Sequence, residues 1–172
     1  VLRTLLLLLV LLAPLAGCAQ DLGWAAVDRM IRHDFPAAPA ILPDTLAARL
    51  GGPAAPVLLD VREPEEFAVS HLAGARRVDP EASALPEEVL ALPRDTPIVA
   101  YCSVGYRSAA VVERLRAEGF TRVENLEGSI FRWANEGRPV VRDGTAVREV
   151  HPYDRAWGVL LDRRLHAYGP GG

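Results

Sequence analysis

Strands alternating with helices along residues 40–141 predict an α/β fold of three layers, a central parallel sheet flanked by helices. Two apolar runs, "PVLLDV" and "TPIVAYC", are each short enough for a buried strand. An amphipathic run, "SAAVVERLRAEG", follows the second of them and ends at a glycine suited to a helix C-terminus. At 172 residues, half of them apolar, the chain has material for one packed domain with additions at its ends.

The elements follow in order. "WAAVDRMIRHDF" reads as a helix stopped by Pro36, with Trp24, Val27, Met30 and Ile31 at packing spacing. "AIL" reads as a short strand, after which Pro43 and Asp44 open the helix "DTLAARL", closed by Gly51 and Gly52. Pro56–Val61 is a buried strand. In "EPEEFAVSHL", Pro64 near the first turn and acids at the positive end of the dipole predict a helix. "AGARRV" reads as an exposed strand, and "PEASALPEEVLAL" as a helix broken by Pro86. After the strand "TPIVAYC" and its helix come a short strand, "RVENL", and a short helix, "SIFRWANEG". Residues 142–172 hold Tyr153, Trp157 and the cluster Val159–Leu161, too apolar for a disordered tail. They are expected to pack on the domain.

The N-terminal run from Leu5 to Leu12 is shorter than the roughly 20 apolar residues a bilayer span needs, and fits the core of a signal peptide. "LAGC", Leu15–Cys18, resembles the lipobox of bacterial lipoproteins. The resemblance implies cleavage before Cys18, lipidation of that residue and anchoring by several acyl chains. Ala19 favours the outer membrane, with the domain facing the periplasm. The expected organisation is therefore a signal peptide (1–17), a lipid-anchored tether with an N-terminal helix (18–39), the α/β domain (40–141) and an extension packed on it (142–172).

Charge and composition exclude several functions. The net charge is −3 without a basic tract, so nothing points to nucleic acid. All nineteen cationic side chains are arginine, which removes Schiff-base, Walker A and general-base lysines. The histidines lack metal-ligand spacing, and no metal or organic cofactor is expected. With Cys18 lipidated, Cys102 has no disulfide partner within its own chain.

Cys102 ends an apolar strand and precedes a helix, in "YCSVGYRS". A free cysteine there is open to two readings, a small inert core residue or a reactive thiolate. The second is favoured by the site's position, since open α/β sheets bind ligands at the carboxyl ends of their strands. A following helix N-terminus offers unpaired N–H groups, Gly105 permits a tight loop, and Arg107 supplies a fixed positive charge. Successive N–H groups from Ser103, Val104, Gly105 and Tyr106 to Arg107 can converge on an anion. Ser108 either fixes the loop through its hydroxyl or caps the helix.

Ala40–Val141 resembles a single rhodanese domain. The resemblance is carried by "LLDVREPEEF", "HLAGARRV", "IVAYCSVGYRSA", "GFTRVENLEGSIFRW" and "GRPV", in family order and spacing. It implies a sulfurtransferase whose nucleophile, Cys102, takes a sulfane sulfur as a persulfide from a donor such as thiosulfate. A thiol or cyanide then accepts the sulfur, and a protein acceptor is also compatible. Ser103–Arg107 would form the cradle, with Arg107 orienting the anionic donor. Asp60 and Arg62 match the family's D-x-R and would buttress the loop as an ion pair or by hydrogen bonds. His71 would serve a turn, and Gly128 and Trp133 the packing. Four residues separate Cys102 from Arg107, the spacing of a sulfur-sized loop, whereas related phosphatase and arsenate-reductase loops have five. The alternative is a rhodanese-like sulfur carrier or partner-binding module without turnover.

Overall fold

The computed structural model describes residues 20–170; the signal-peptide segment and Cys18 lie outside them. After a helix at residues 20–34 (α1), the chain runs β1 (Ala40–Ile41), α2 (Pro43–Leu50), β2 (Val57–Asp60), α3 (Pro64–Val69), β3 (Arg76–Arg77) and α4 (Glu87–Leu90). It continues through β4 (Ile98–Tyr101), α5 (Tyr106–Ala117), β5 (Val123–Leu126), α6 (Ser129–Asn135), β6 (Val140–Arg142) and β7 (Thr145–Val147). Short 3₁₀ turns follow at Trp157–Leu160 and Arg163–Leu165. The main sheet has the order β1-β5-β4-β2-β3 and every pairing in it is parallel. The expected three-layer α/β architecture is the observed one.

Side chains alternate across the sheet, so each strand feeds two cores. Leu58, Val99, Tyr101 and Leu126 join α1, α2 and α6 on one face. Leu59, Ile98, Ala100, Cys102 and Val123 join Val111, Val112 and Leu115 of α5 on the other. Each fully buried aliphatic side chain contributes about 1.5–3 kcal/mol by leaving water. The β4 strand is central and wholly buried, and its carboxyl end delivers Cys102.

Two stretches differ from the expectation. The helix expected across "PEASALPEEVLAL" is confined to Glu87–Leu90, because Pro86 sits extended at its N-cap and residues before it form turns. Residues 140–147 form an antiparallel hairpin not foreseen in the sequence. Its turn places both Asp143 (φ 49°) and Gly144 (φ 76°) in the left-handed region, as a type I′ turn requires. The C-terminal extension packs against α1 and α6: Leu160 and Leu161 are buried, and the Leu160 carbonyl accepts from Gln20 Nε2 and Asn135 Nδ2.

Arg62 is fully buried just past β2 and ties that strand to α3. Its guanidinium donates from Nε to Asp60 Oδ1 (2.9 Å) and from Nη2 to Asp60 Oδ2 (2.6 Å). The remaining donors reach the carbonyls of Glu66 (3.3 Å) and Ser70 (2.6 Å). Removing one member of a buried pair strands the other charge, so Arg62→Leu should cost about 3–5 kcal/mol. The loss is read from the urea midpoint, and a shift within error would show that Asp60 finds another partner.

Candidate active site

Cys102 is 1% exposed, and its loop is braced from the side of α6. The Cys102 N–H donates to Ser129 Oγ (3.1 Å), while the Cys102 and Ser103 carbonyls accept from the N–H groups of Ile130 (3.2 Å) and Phe131 (3.1 Å). With those carbonyls turned toward α6, amides at the start of α5 face the sulfur. The Gly105 N–H donates to Cys102 Sγ at 3.1 Å. Gly105 has φ 111°, a conformation that side-chain-bearing residues resist. An added Cβ there would also lie 3.2 Å from Ile31 Cδ1.

Burial pushes the Cys102 thiol up, but opposing influences outweigh it. The Arg107 charge, with the Ser108 and Gly105 N–H groups, holds it below the ordinary thiol value. Ser108 does not cap α5, whose N-cap is Gly105. Its hydroxyl donates to Asn125 Oδ1 (2.6 Å), and Asn125 Nδ2 donates back to the Gly105 carbonyl (3.0 Å). Asn125 thereby staples the loop to β5.

Arg107 faces a carboxylate that sequence reading did not single out. Its Nη1 and Nη2 donate to Glu66 Oε2 (2.9 Å) and Oε1 (3.0 Å), and Nη2 also reaches Ser103 Oγ (3.1 Å). Ser103 donates to Glu66 Oε1 at 2.7 Å. Burial raises the Glu66 carboxyl, yet the Arg107 and Ser103 hydrogen bonds bring it below its ordinary value. Asp60 and Arg62 do not touch the sulfur; they hold the backbone of α3, which carries Glu66. Tyr106 donates its hydroxyl to Asp34 (2.9 Å) and meets Phe35 edge-on, linking the loop to α1.

A cavity of about 160 Å³ opens over the sulfur, lined by Cys102, Ser103, Val104, Tyr106 and Arg107. Tyr153 and Trp157 of the C-terminal extension complete it. Sequence reading missed both, since nothing local links them to the loop. A larger groove of about 490 Å³ includes Arg138, Asp162 and Arg164 but holds no nucleophile; Arg138 is paired with Asp44 and Glu136, and Arg164 with Asp162. His71 sits in the expected turn region, stacked on Phe67 and bridged to Val141, away from the cavity lining. Trp133 is buried and donates Nε1 to the Pro139 carbonyl. Among the described residues no group of acidic, histidine and cysteine side chains could hold a metal.

A lone thiol on an amide-lined loop, at the end of the central strand of a parallel sheet, defines a cysteine-loop α/β domain. Residues 42–136, more than half of the chain, match the rhodanese-like domain family, and the chain belongs to it. A sulfurtransferase of Allochromatium vinosum is 33% identical over 98 residues, covering 57% of this chain and 90% of that one. The probable adenylyltransferase/sulfurtransferase MoeZ of Mycobacterium tuberculosis is 34% identical over 82 residues, which is 48% of this chain but only 21% of MoeZ. Among solved structures, a rhodanese-like domain protein from Staphylococcus aureus superposes with a TM-score of 0.53 at 28% identity, over 61% of this chain and 98% of that one.

The lowered Cys102 pKa has a sign that can be tested. Because the thiol is more acidic folded than unfolded, its ionisation stabilises the fold; the effect is complete above the ordinary thiol pKa and is lost as pH falls through the lowered value. Arg107→Gln should move the thiolate absorbance curve to higher pH and, by stranding buried Glu66, cost about 2 kcal/mol. An unmoved curve would mean that the amides alone set the thiol's acidity.

Proposed function

We propose that this domain transfers sulfane sulfur through a persulfide on Cys102. The observation that carries the reading is the sulfur's setting: a buried thiol that accepts the Gly105 N–H at 3.1 Å beside Arg107, and is held below the ordinary thiol value there. Thiolate is the attacking form of cysteine, and its charge must be stabilised where water is excluded. The thiolate attacks the outer sulfur of a donor such as thiosulfate. A Cys–S–S bond forms, the donor's S–S bond breaks, and sulfite leaves with the electron pair. A thiol or cyanide then attacks the outer sulfur and returns Cys102 as thiolate. The sulfurtransferase relatives support this class of reaction. No metal or organic cofactor enters either step.

The second reading, a sulfur carrier or partner-binding module without turnover, is favoured by one observation: Arg107 already holds Glu66 with both amino ends. An anionic donor would have to share that cation. The two readings differ in what cyanide does. A carrier releases its sulfur once, whereas an enzyme forms thiocyanate repeatedly from thiosulfate.

The lipobox-like "LAGC" supports placing the domain on a membrane surface in the cell envelope, anchored through Cys18 and facing the periplasm. Cys18→Ser should move the protein from the membrane fraction to the soluble fraction. Retention of the unlipidated variant would point to another anchor.

Intact mass tests the chemistry directly. After thiosulfate, a mercaptopyruvate-type donor or polysulfide, the wild type should gain one sulfur and Cys102→Ala none. No adduct from any of the three donors would sink the reading.

A further inference from the structure

The C-terminal extension supplies a wall of the cavity that lies outside the family match at residues 42–136. Tyr153 has φ 64°, a left-handed conformation that is rare for an aromatic residue, and its N–H donates to His151 Nδ1 at 3.0 Å. That turn lays the phenol ring 4.7 Å from the Arg107 guanidinium. Trp157 starts the next turn with its N–H on Asp154 Oδ1 (2.8 Å), and the turn is pinned by buried Leu160. The wall is therefore built into the packed fold.

The cavity's size and charge say what it would receive. Its volume of about 160 Å³ suits one aromatic ring, since an apolar cavity of roughly 150 Å³ holds benzene. Val104, Tyr106, Tyr153 and Trp157 give it a mainly apolar and aromatic lining. Arg107 is offset by Glu66 at 2.9 Å, and Glu63 lies 3.7 Å from it. A persulfide anion on Cys102 would add a further negative charge. A second anionic group on the acceptor would gain little there, whereas an aromatic ring would gain contact and exclude water.

We propose that Tyr153 and Trp157 are specificity-determining residues that select an apolar, aromatic thiol, with no charge beyond its reacting sulfur, as the sulfur acceptor. The inference rests on the sulfurtransferase reading. In the step itself the acceptor thiol gives its proton to solvent, and its sulfur bonds to the outer sulfur of the persulfide. The Cys102 S–S bond breaks, the electron pair returns to Cys102, and an organic persulfide leaves. Electrons balance without an external oxidant or reductant.

The test loads the full chain with inorganic polysulfide and follows discharge by intact mass. Benzyl mercaptan and 2-mercaptoethanesulfonate, thiols of similar basicity but different charge, are the probes. Wild type should discharge to benzyl mercaptan about tenfold faster than to the sulfonate. Tyr153→Gly removes the ring at a backbone conformation glycine accepts freely, and should bring the ratio to within about threefold. Tyr153→Phe should keep the wild-type ratio. Equal rates in the wild type, or a preference that survives both Tyr153→Gly and Trp157→Ala, would overturn the selectivity. Failure to load from polysulfide, thiosulfate and a mercaptopyruvate-type donor alike would instead remove the sulfurtransferase reading on which it rests.

Discussion

A thiolate can sit at the end of a buried strand only where the protein replaces the hydrogen bonds and counter-charge that water would give. Much of this structure answers that requirement. The Asp60–Arg62 pair fixes the carbonyls of α3, α3 presents Glu66, and Glu66 holds Arg107 and Ser103 beside the sulfur. On the other side, α6 receives the Cys102 and Ser103 carbonyls, and Asn125 holds the Gly105 carbonyl, so the amides are left for the anion. Buried polar groups that are fully partnered can specify one geometry; a partly satisfied network would leave the loop free to move.

That geometry also limits the loop. Arg107 serves the thiolate by charge, but its bidentate hold on Glu66 fixes the guanidinium and offsets its field beyond the first contact. The site is thus arranged more for the sulfur it owns than for an incoming dianion. Glu66 performs two tasks at once, since its Oε2 also accepts the Glu63 N–H that begins α3. A change at Glu66 therefore acts on both the helix start and the loop.

The strand–loop–helix around Cys102 was legible because each part leaves a local mark: a four-residue apolar strand, a glycine, and an amphipathic helix. The partners of that loop were less so, for physical reasons. Glu66 is one of several acids in "EPEEF", all suited to the first turn of a helix, and only tertiary packing turns this one inward. Asn125 left a clue as a polar residue within the buried strand "VENL", yet its partner Ser108 lies 17 residues away. Tyr153 and Trp157 left none, since they reach the loop through the fold. The β6–β7 hairpin was legible in principle from Asp143-Gly144 between apolar residues, a turn signal with a defined mechanism.

The segments before and after the α/β core both meet the loop, and their chemistry differs. Asp34 at the end of α1 and Phe35 just beyond it grip Tyr106, while Ile31 closes on Gly105, so that segment constrains the shape of the cradle. The C-terminal extension instead places aromatic side chains over the opening, where they contact whatever approaches the sulfur. Reactivity depends on the field and amides at Sγ, which the α/β core supplies. Discrimination depends on the walls a few ångströms above it, and these come in part from residues added after the core. In the proposed transfer, changes in the extension would therefore retune the choice of acceptor while the Glu66–Arg107 pair and the Gly105 amide on Cys102 keep their partners.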